Sequence, residues 1–487
     1  MKPLQVDLCV IGAGSAGLSA AAFAAQLGVK VLLVERGKMG GECLNMGCVP
    51  SKALLAAAKM AHAMRNATPF GITAVEPQVN FAAVHAHVQG VIAAIAPHDS
   101  VERFEGLGAT VMRGDARFVG PRELLVSGGA GEQRASEQLI SARRVIIATG
   151  SSPALPKIDG LASVPHFTNE TLFDNATLPE HLLILGGGPI GIEMAQAHRR
   201  LGSKVTVIER SRCLSKDDEE HATLLLQRLA AEGVVVRQKT GVTAVRQGPH
   251  GSNGIALSLD EGGQMSEIEG SHLLVATGRS PRIDALGLDQ AGVTVDKGGI
   301  VVDAKLRTNV HGVYAIGDVV AQAPHFTHIA AYHAGIAVQN ALLLPYAKTD
   351  YSSLPWVSYC DPELAHVGLS EADARKQHGD DVQLLRVELK ANDRAQTDLA
   401  TLGSVKVWAR KNGQVLGVSI LAAHAGEMAH LWSLAIRSGL KLKAIASMIA
   451  PYPTFGEASK SAAGELYKPK LFSPLAKRVV RLFSHLP

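Results

Sequence analysis

The chain has 487 residues, enough for about three or four domains around a large core. Its 48 basic and 44 acidic side chains leave a net charge of only +4, too balanced to be the footprint of nucleic-acid binding. Five cysteines are an odd and low count that argues against a secreted disulfide scaffold, while 47% hydrophobic residues and 49 glycines suit an α/β protein rich in tight turns.

Val6 to Ile11 reads as a buried parallel strand, because it runs directly into Gly12-Ala13-Gly14-Ser15-Ala16-Gly17 and then an Ala-rich helix to about Leu27. A strand there, rather than a signal peptide, together with the lack of a long uncharged span, leads us to expect a cytoplasmic protein. Val29 to Val34 forms a second strand ending at Glu35. In this unit Gly12 turns the chain, Gly14 lets the backbone approach a pyrophosphate, Gly17 lets helix and strand pack closely, and Glu35 accepts from a ribose hydroxyl.

Next comes Gly40-Gly41-Glu42-Cys43-Leu44-Asn45-Met46-Gly47-Cys48-Val49-Pro50-Ser51-Lys52. Two cysteines separated by four residues close a small ring only through a tight turn, for which Gly47 is permissive. So short a loop gains little closure entropy, which makes the pair's value redox rather than structural, and a helix N-terminus at Cys48 favours a thiolate. Two unrelated buried thiols are the bland alternative, disfavoured by the surrounding Gly, Pro and Lys.

The nucleotide device then returns. Leu182 to Leu185 leads into Gly186-Gly187-Gly188-Pro189-Ile190-Gly191, a helix through about Leu201, and Lys204 to Ile208 ending at Glu209; in both copies the acid lies 23 positions after the first glycine (35 minus 12, 209 minus 186). Two such sites imply that two cofactors meet. Val145 to Gly150 and Leu273 to Gly278 both end in Ala-Thr-Gly, and a helix is expected from about Thr327. Ser127 to Glu137 and Gly248 to Gly263 read as hairpin tips or surface loops. Beyond Asp350 the pattern changes to strands (382–389, 403–409, 415–421) and helices (428–438, 442–448). In the tail, Leu471, Phe472, Leu475, Val479, Leu482 and Leu486 recur at helical spacing between Lys477, Arg478 and Arg481; packing on its own subunit is favoured over contact with an anionic membrane.

The Gly40–Lys52 run resembles the redox disulfide of the class I flavoprotein disulfide reductases, which include dihydrolipoamide dehydrogenase, glutathione reductase and mercuric reductase, and the likeness recurs along nearly the whole chain. It implies an α/β fold with two Rossmann-like domains and an α+β dimerisation domain: an FAD domain at 1–150 completed by 283–349, an NAD(P) domain at 151–282, and a dimerisation domain at 350–487 opening near Asp361-Pro362. The resemblance assigns Gly12, Gly14, Gly17, Glu35, Lys52, Gly150, Asp318 and Thr327 to FAD, and Gly186, Gly188, Gly191, Glu209 and Gly278 to the nicotinamide cofactor. Glu209 would accept from a free 2′-hydroxyl and repel a 2′-phosphate, which favours NADH, although Arg210 and Arg212 could partner a phosphate.

On the same resemblance Cys48 takes electrons at the flavin, Cys43 is the exposed interchange thiol, and Lys52 and Glu193 pair beside the reacting flavin nitrogen, in a homodimer whose site the partner completes. The bland readings are a solvated helix lysine and a surface acid. One departure is informative: where disulfide-reducing members carry a His-Pro-Thr run followed by Glu, this chain has Tyr452-Pro453-Thr454-Phe455-Gly456-Glu457. A phenol with pKa ~10 is a poor base near neutrality, and a tyrosine there is similar to mercuric reductase, yet no vicinal cysteine pair follows; an aromatic filler is the alternative for Tyr452. His325, His328 and His366 are candidates for a replacement base, and Cys9, Cys213 and Cys360 read as ordinary thiols.

The expected activity is FAD-dependent NAD(P)H:disulfide-type oxidoreduction, electrons passing through Cys48 and Cys43 to a thiol/disulfide or soft-metal acceptor, with no resident metal. The alternatives are a quinone or diaphorase reductase that bypasses the disulfide, and a low-turnover flavin redox sensor or assembly subunit.

Overall fold

The computed structural model describes residues 2–128, 137–249 and 254–484. Strand β1 (Leu4–Ile11) lies parallel between β2 (Val31–Glu35) and the strand Gln138–Ile147. Leu8, Cys9 and Val10 are fully buried, as required of a parallel strand covered on both faces. Helix α1 (Ser15–Gln26) links β1 to β2 and turns a face of small residues, including Ala16, Ala20 and Ala24, to the core. Ala109–Arg113 extends the sheet beyond β2, and Val313–Ala315 pairs with the end of Gln138–Ile147. After β2 come α2 (Gly41–Met46) and α3 (Cys48–Arg65).

The second unit repeats the first. Strand β3 (His181–Leu185), helix α4 (Pro189–Leu201) and strand β4 (Lys204–Glu209) belong to a parallel four-stranded sheet ordered Val234–Gln238, β4, β3, His272–Val275. Gly12 and Gly186 adopt φ of +103° and +115°, and a Cβ on Gly17 or Gly191 would sit 1.8 or 2.0 Å from the carbonyl oxygen of Gly12 or Gly186. Only glycine permits that turn and that helix-to-strand approach.

The loop expected over Gly248 to Gly263 is corrected in part. Ile255–Glu261 is the central strand of a meander with Gly241–Gln247 and Gln264–Gly270, its Ile255, Leu257 and Leu259 buried. Its flanking glycines conceal a period-two pattern. Most of Ser127 to Glu137 lies outside the described residues.

Helix α5 (Thr327–Leu342) returns to the first unit, packing Ala330 and Ala334 into the same cluster as α1. The rest of the chain builds an antiparallel five-stranded sheet ordered Pro355–Ser358, Glu363–Gly368, Val415–Ala422, Ser404–Arg410, Val382–Glu388, backed by the helices Ala425–Arg437 and Gly456–Glu465. It is joined to the second unit by polar contacts. The His221 ring spans Ser404 and Ser419 at 2.7 Å each, Lys406 pairs with Asp218 at 2.6 Å, the Trp356 indole donates to Asp217 at 2.9 Å, and Arg200 pairs with Glu232 at 2.7 Å and Asp361 at 2.9 Å.

Helix α6 (Pro474–Phe483) does not pack on its own subunit as expected: none of its residues is buried, because the apolar cluster beneath the last sheet already closes at Leu466 and Tyr467. Leu486, counted in its stripe, lies outside the described residues. No helix among the described residues is long and apolar enough to cross a membrane.

Candidate active site

The cysteine loop is shaped by its glycines. Gly41, at φ +57°, passes so near the first glycine turn that a Cβ on it would lie 2.5 Å from the Gly14 Cα, so backbone meets backbone. The Asn45 amide donates to Met39 and Gly41 carbonyls at 2.9 and 2.7 Å and closes the loop on itself. Gly47, at φ −132° and ψ −109°, breaks the chain between α2 and α3 in a conformation that side chains disfavour. Cys43 therefore sits within α2 and Cys48 is the first residue of α3, where unpaired N–H groups stabilise negative charge.

The two stand as free thiols, with Cys43 donating to the Cys48 sulfur. That hydrogen bond is the main reason the Cys48 pKa falls to about 6; burial opposes it, while Thr327 and the Lys52 charge assist. Thr327 opens α5 and places its hydroxyl 3.3 Å from Cys48. The Cys43 thiol moves the opposite way, up, through its bond to Cys48 and its burial. Both line the cleft, Cys48 exposed to it and Cys43 half-buried within α2.

Lys52, one turn into α3, reaches α4 of the second unit, its ammonium 2.8 Å from Glu193. Glu193 is almost fully buried and also accepts from the Tyr359 N–H at 2.9 Å, while the Lys52 ammonium lies 4.5 Å from the centre of the Tyr359 ring. Burial works against the lysine charge, but Glu193 holds its pKa above the ordinary value. Neither is the solvated surface residue of the bland reading.

One continuous cleft of about 2980 Å³ runs past both glycine turns and the cysteines, roughly three times the upper end of an ordinary small-molecule pocket of ~1,000 Å³. The acids at its two ends are held alike. Glu35 accepts from Ala13 and Gly37 N–H groups at 2.6 Å each, and Glu209 from Gly187 and Ser211 N–H groups at 2.8 Å each. These bonds overcome burial and keep Glu209 below the usual carboxylate range. Both arginines following Glu209 line the cleft: Arg210 is exposed, and Arg212 donates through Nη2 to the carbonyls of Ser215 and Asp217 while its Nη1 has no hydrogen-bond partner among the described residues. Gly150 and Gly278, at φ +70° and +132°, line it at the ends of the two Ala-Thr-Gly strands.

Asp318, also on the cleft, accepts from the Ser151 hydroxyl at 2.7 Å. Arg279, absent from the sequence-based candidates, holds this region together: it donates to the Ser151 hydroxyl at 2.8 Å, pairs with Glu42, and lies 3.9 Å from Asp318. Its signal was its place, directly after the second Ala-Thr-Gly. Tyr359 was also missed, although it immediately precedes Cys360-Asp361-Pro362. The open backbone at Gly14 and Gly188, where a Cβ would meet nothing closer than 3.8 Å, and the paired acids fit two dinucleotides.

Tyr452 and Glu457 line no part of this cleft within the chain. Tyr452 is 70% exposed and its hydroxyl donates to Asp393 at 2.9 Å, which pushes the phenol pKa up; Glu457 accepts from the Thr454 N–H at 3.3 Å. His366 is no free base, being stacked on Trp356 with its pKa pushed down to about 4 by burial. His325 and His328 line the cleft, but His328 is hydrogen-bonded to the Pro355 carbonyl at 2.9 Å. Cys9, Cys213 and Cys360 are buried.

A family model described as pyridine nucleotide-disulphide oxidoreductase matches residues 6–334, and one described as the dimerisation domain of that family matches residues 354–463. A mercuric reductase of Streptomyces lividans is 38% identical over 462 residues, 94% of this chain and 95% of the relative. A dihydrolipoyl dehydrogenase of Thermus scotoductus is 37% identical over 465 residues, 95% of this chain and 97% of the relative. Among solved structures, the HOCl-induced flavoprotein disulfide reductase RclA from Escherichia coli superposes with a TM-score of 0.82 at 26% identity over 94% of this chain and 99% of that one, and the Cu(II) complex of a mutant of it with a TM-score of 0.84. The chain therefore belongs to the pyridine nucleotide-disulphide oxidoreductases and is an FAD-dependent enzyme of the NAD(P)H:disulfide oxidoreductase type.

Proposed function

We propose that the enzyme takes hydride from NADH and delivers two electrons through Cys43 and Cys48 to a thiophilic acceptor, with a soft metal ion favoured over a small disulfide. When bound, FAD supplies the relay between nicotinamide and sulfur. The first glycine turn (Gly12, Gly14, Gly17) with Glu35, Lys52, Gly150, Asp318 and Thr327 would hold it, and the second (Gly186, Gly188, Gly191) with Glu209 and Gly278 would hold the nicotinamide cofactor. This divides the chain into 1–150 with 283–349, 151–282, and 350–487. Reduction of the Cys43–Cys48 disulfide by two electrons and one proton leaves a thiolate on Cys48 and a proton on Cys43. Thr327 and Lys52 hold the negative charge, and Glu193 holds Lys52 in place.

The observation that carries the preference for a metal is Tyr452, a weakly basic phenol at the position where disulfide-reducing members carry their histidine base. The Cys43 thiol, its pKa raised by Cys48 and by burial, keeps its proton. Attack on a substrate disulfide needs that proton removed, whereas a soft cation displaces it by binding sulfur. The relatives named mercuric reductase and the Cu(II) complex of RclA support the same reading. In a homodimer the partner subunit would bring its own tyrosine, not a histidine, to this site. The test is NADH oxidation by purified holoenzyme with Hg(II), Cu(II) and a disulfide panel, using wild type, Cys43→Ser and Tyr452→His. We expect metal-dependent turnover that Cys43→Ser abolishes, and a gain of disulfide reduction in Tyr452→His on the order of 10²-fold. Unchanged turnover in Cys43→Ser would transfer the activity to direct reduction at the flavin.

A further inference from the structure

The C-terminal segment has no part in the chemistry above, and it lies beyond residue 463, where the dimerisation-domain match ends. Residues 466–487 contain Lys468, Lys470, Lys477, Arg478 and Arg481 and not one Asp or Glu. The whole chain is only +4, so these 22 residues carry +5 while residues 1–465 carry −1. Charge of one sign is thus concentrated in one short stretch of an otherwise neutral molecule.

The same stretch is sharply two-faced. With 3.6 residues per turn, Leu475, Ala476, Val479, Val480, Leu482 and Phe483 of α6 fall within an arc of about 160°, and Lys477, Arg478 and Arg481 fill the opposite side. The apolar arc is uncovered: Leu475 and Leu482 are each 71% exposed and Phe483 is 62% exposed, and Leu471 and Phe472 continue the patch just before the helix. Ser473 caps the helix, accepting from the Ala476 N–H at 3.2 Å, and Pro474 occupies its first turn, so the segment is ordered locally without support from the body.

We propose that α6 docks the enzyme on an anionic lipid surface, lying in the interface plane with Leu475, Val479, Leu482 and Phe483 among the acyl chains and Lys477, Arg478 and Arg481 among the headgroups. Apolar residues on one side with cations on the other are what such a surface recognises. A second copy of the chain is a poorer occupant, because a two-fold pairing of α6 along its apolar arc leaves the cations on the outer faces without a partner, whereas an anionic surface engages both the arc and the charges. The docking does not depend on the acceptor proposed above. A dimer would present two such helices and gain further from their linkage.

The test is flotation of the full-length holoenzyme with vesicles of phosphatidylcholine alone and with an equal mixture of phosphatidylcholine and phosphatidylglycerol. The variants are Leu475→Ser/Leu482→Ser and Lys477→Gln/Arg478→Gln/Arg481→Gln, with FAD content and NADH:ferricyanide turnover as controls for folding. Wild type is expected to float with the anionic vesicles and not with the neutral ones, and to be released by salt. The triple charge variant should bind on the order of 100-fold more weakly, at roughly fivefold per cation, and the apolar variant should not float. Wild type left unbound by both vesicle types, or bound equally to both, overturns the proposal. So does light scattering that shows the apolar variant falling from dimer to monomer, which would make the stripe a contact between copies.

Discussion

Replacing Thr327 with valine removes one hydrogen bond from the sulfur on which the proposed route depends. The Thr327 hydroxyl lies 3.3 Å from Cys48, and its contact lowers that thiol's pKa. A hydrogen bond to a charged acceptor contributes about 1.5–3 kcal/mol, and sulfur at this distance takes the lower end. At 1.36 kcal/mol per unit, that raises the pKa by about one, from about 6 to near 7, so the thiolate fraction at neutral pH falls from roughly nine-tenths to about half. The assay follows the long-wavelength thiolate-to-flavin absorption of the two-electron-reduced holoenzyme against pH and reads the apparent pKa of the coupled pair. Glu193→Gln supplies a control of opposite sign, because the Glu193 charge raises the Cys48 pKa while Lys52 lowers it. A Thr327→Val titration that overlays wild type, or both variants moving the same way, would refute the account of the thiolate.

Three further outcomes are expected. Burial pushes the pKa of His221 down from 6.5 to about 4, so the unfolded chain takes up a proton that the native state refuses. The site's contribution, on the order of 3 kcal/mol at most, is present above pH 6.5 and lost as pH falls toward 4; His221→Gln should flatten the pH dependence of the urea midpoint over that window. Arg279→Met should destabilise by about 3 kcal/mol in urea melts, and adding Glu42→Gln should cost less than the two separate effects combined; strict additivity would show that the pair is not coupled. Glu209→Gln should raise the NADPH-to-NADH ratio of kcat/KM by up to about 100-fold, the equivalent of ~3 kcal/mol at ~5 Å with a dielectric of ~20, and an unmoved ratio would remove Glu209 from cofactor choice.

Local rules made most of the fold legible. The glycine spacings around Gly12 and Gly186 are enforced by carbonyls less than 3 Å from where a Cβ would stand, so the constraint is written in the residues themselves. The strand and helix assignments beyond Asp350 fall within a few residues of those observed, because the two central strands are continuous apolar runs buried almost throughout. Ile255–Glu261 was hidden by neighbouring glycines. Within the site, the cysteine pair and the bond between Lys52 and Glu193 could be anticipated from pattern and family likeness. Arg279 and Tyr359 are signalled only by their places, after the second Ala-Thr-Gly and before Cys360-Asp361-Pro362; their contacts with Glu42 and Glu193 span more than a hundred residues, and no local periodicity announces them. The free face of α6 was misjudged for a related reason: amphipathicity shows that an apolar side exists, but only the assembled core shows whether room is left to cover it.

The His221, Lys406, Trp356 and Arg200 contacts have a bearing on how cofactors come and go. Four polar ties, most of them shielded from water, fasten the second nucleotide unit to the last sheet, so swinging that unit outward would strand several ionised or hydrogen-bonding groups at once. The same fastening reaches the cleft itself, where the Tyr359 N–H donates to Glu193 of the second unit at 2.9 Å and the Tyr359 ring lies 4.5 Å from the Lys52 ammonium, so the wall beside the cysteines is held by the last sheet as well as by the two nucleotide units.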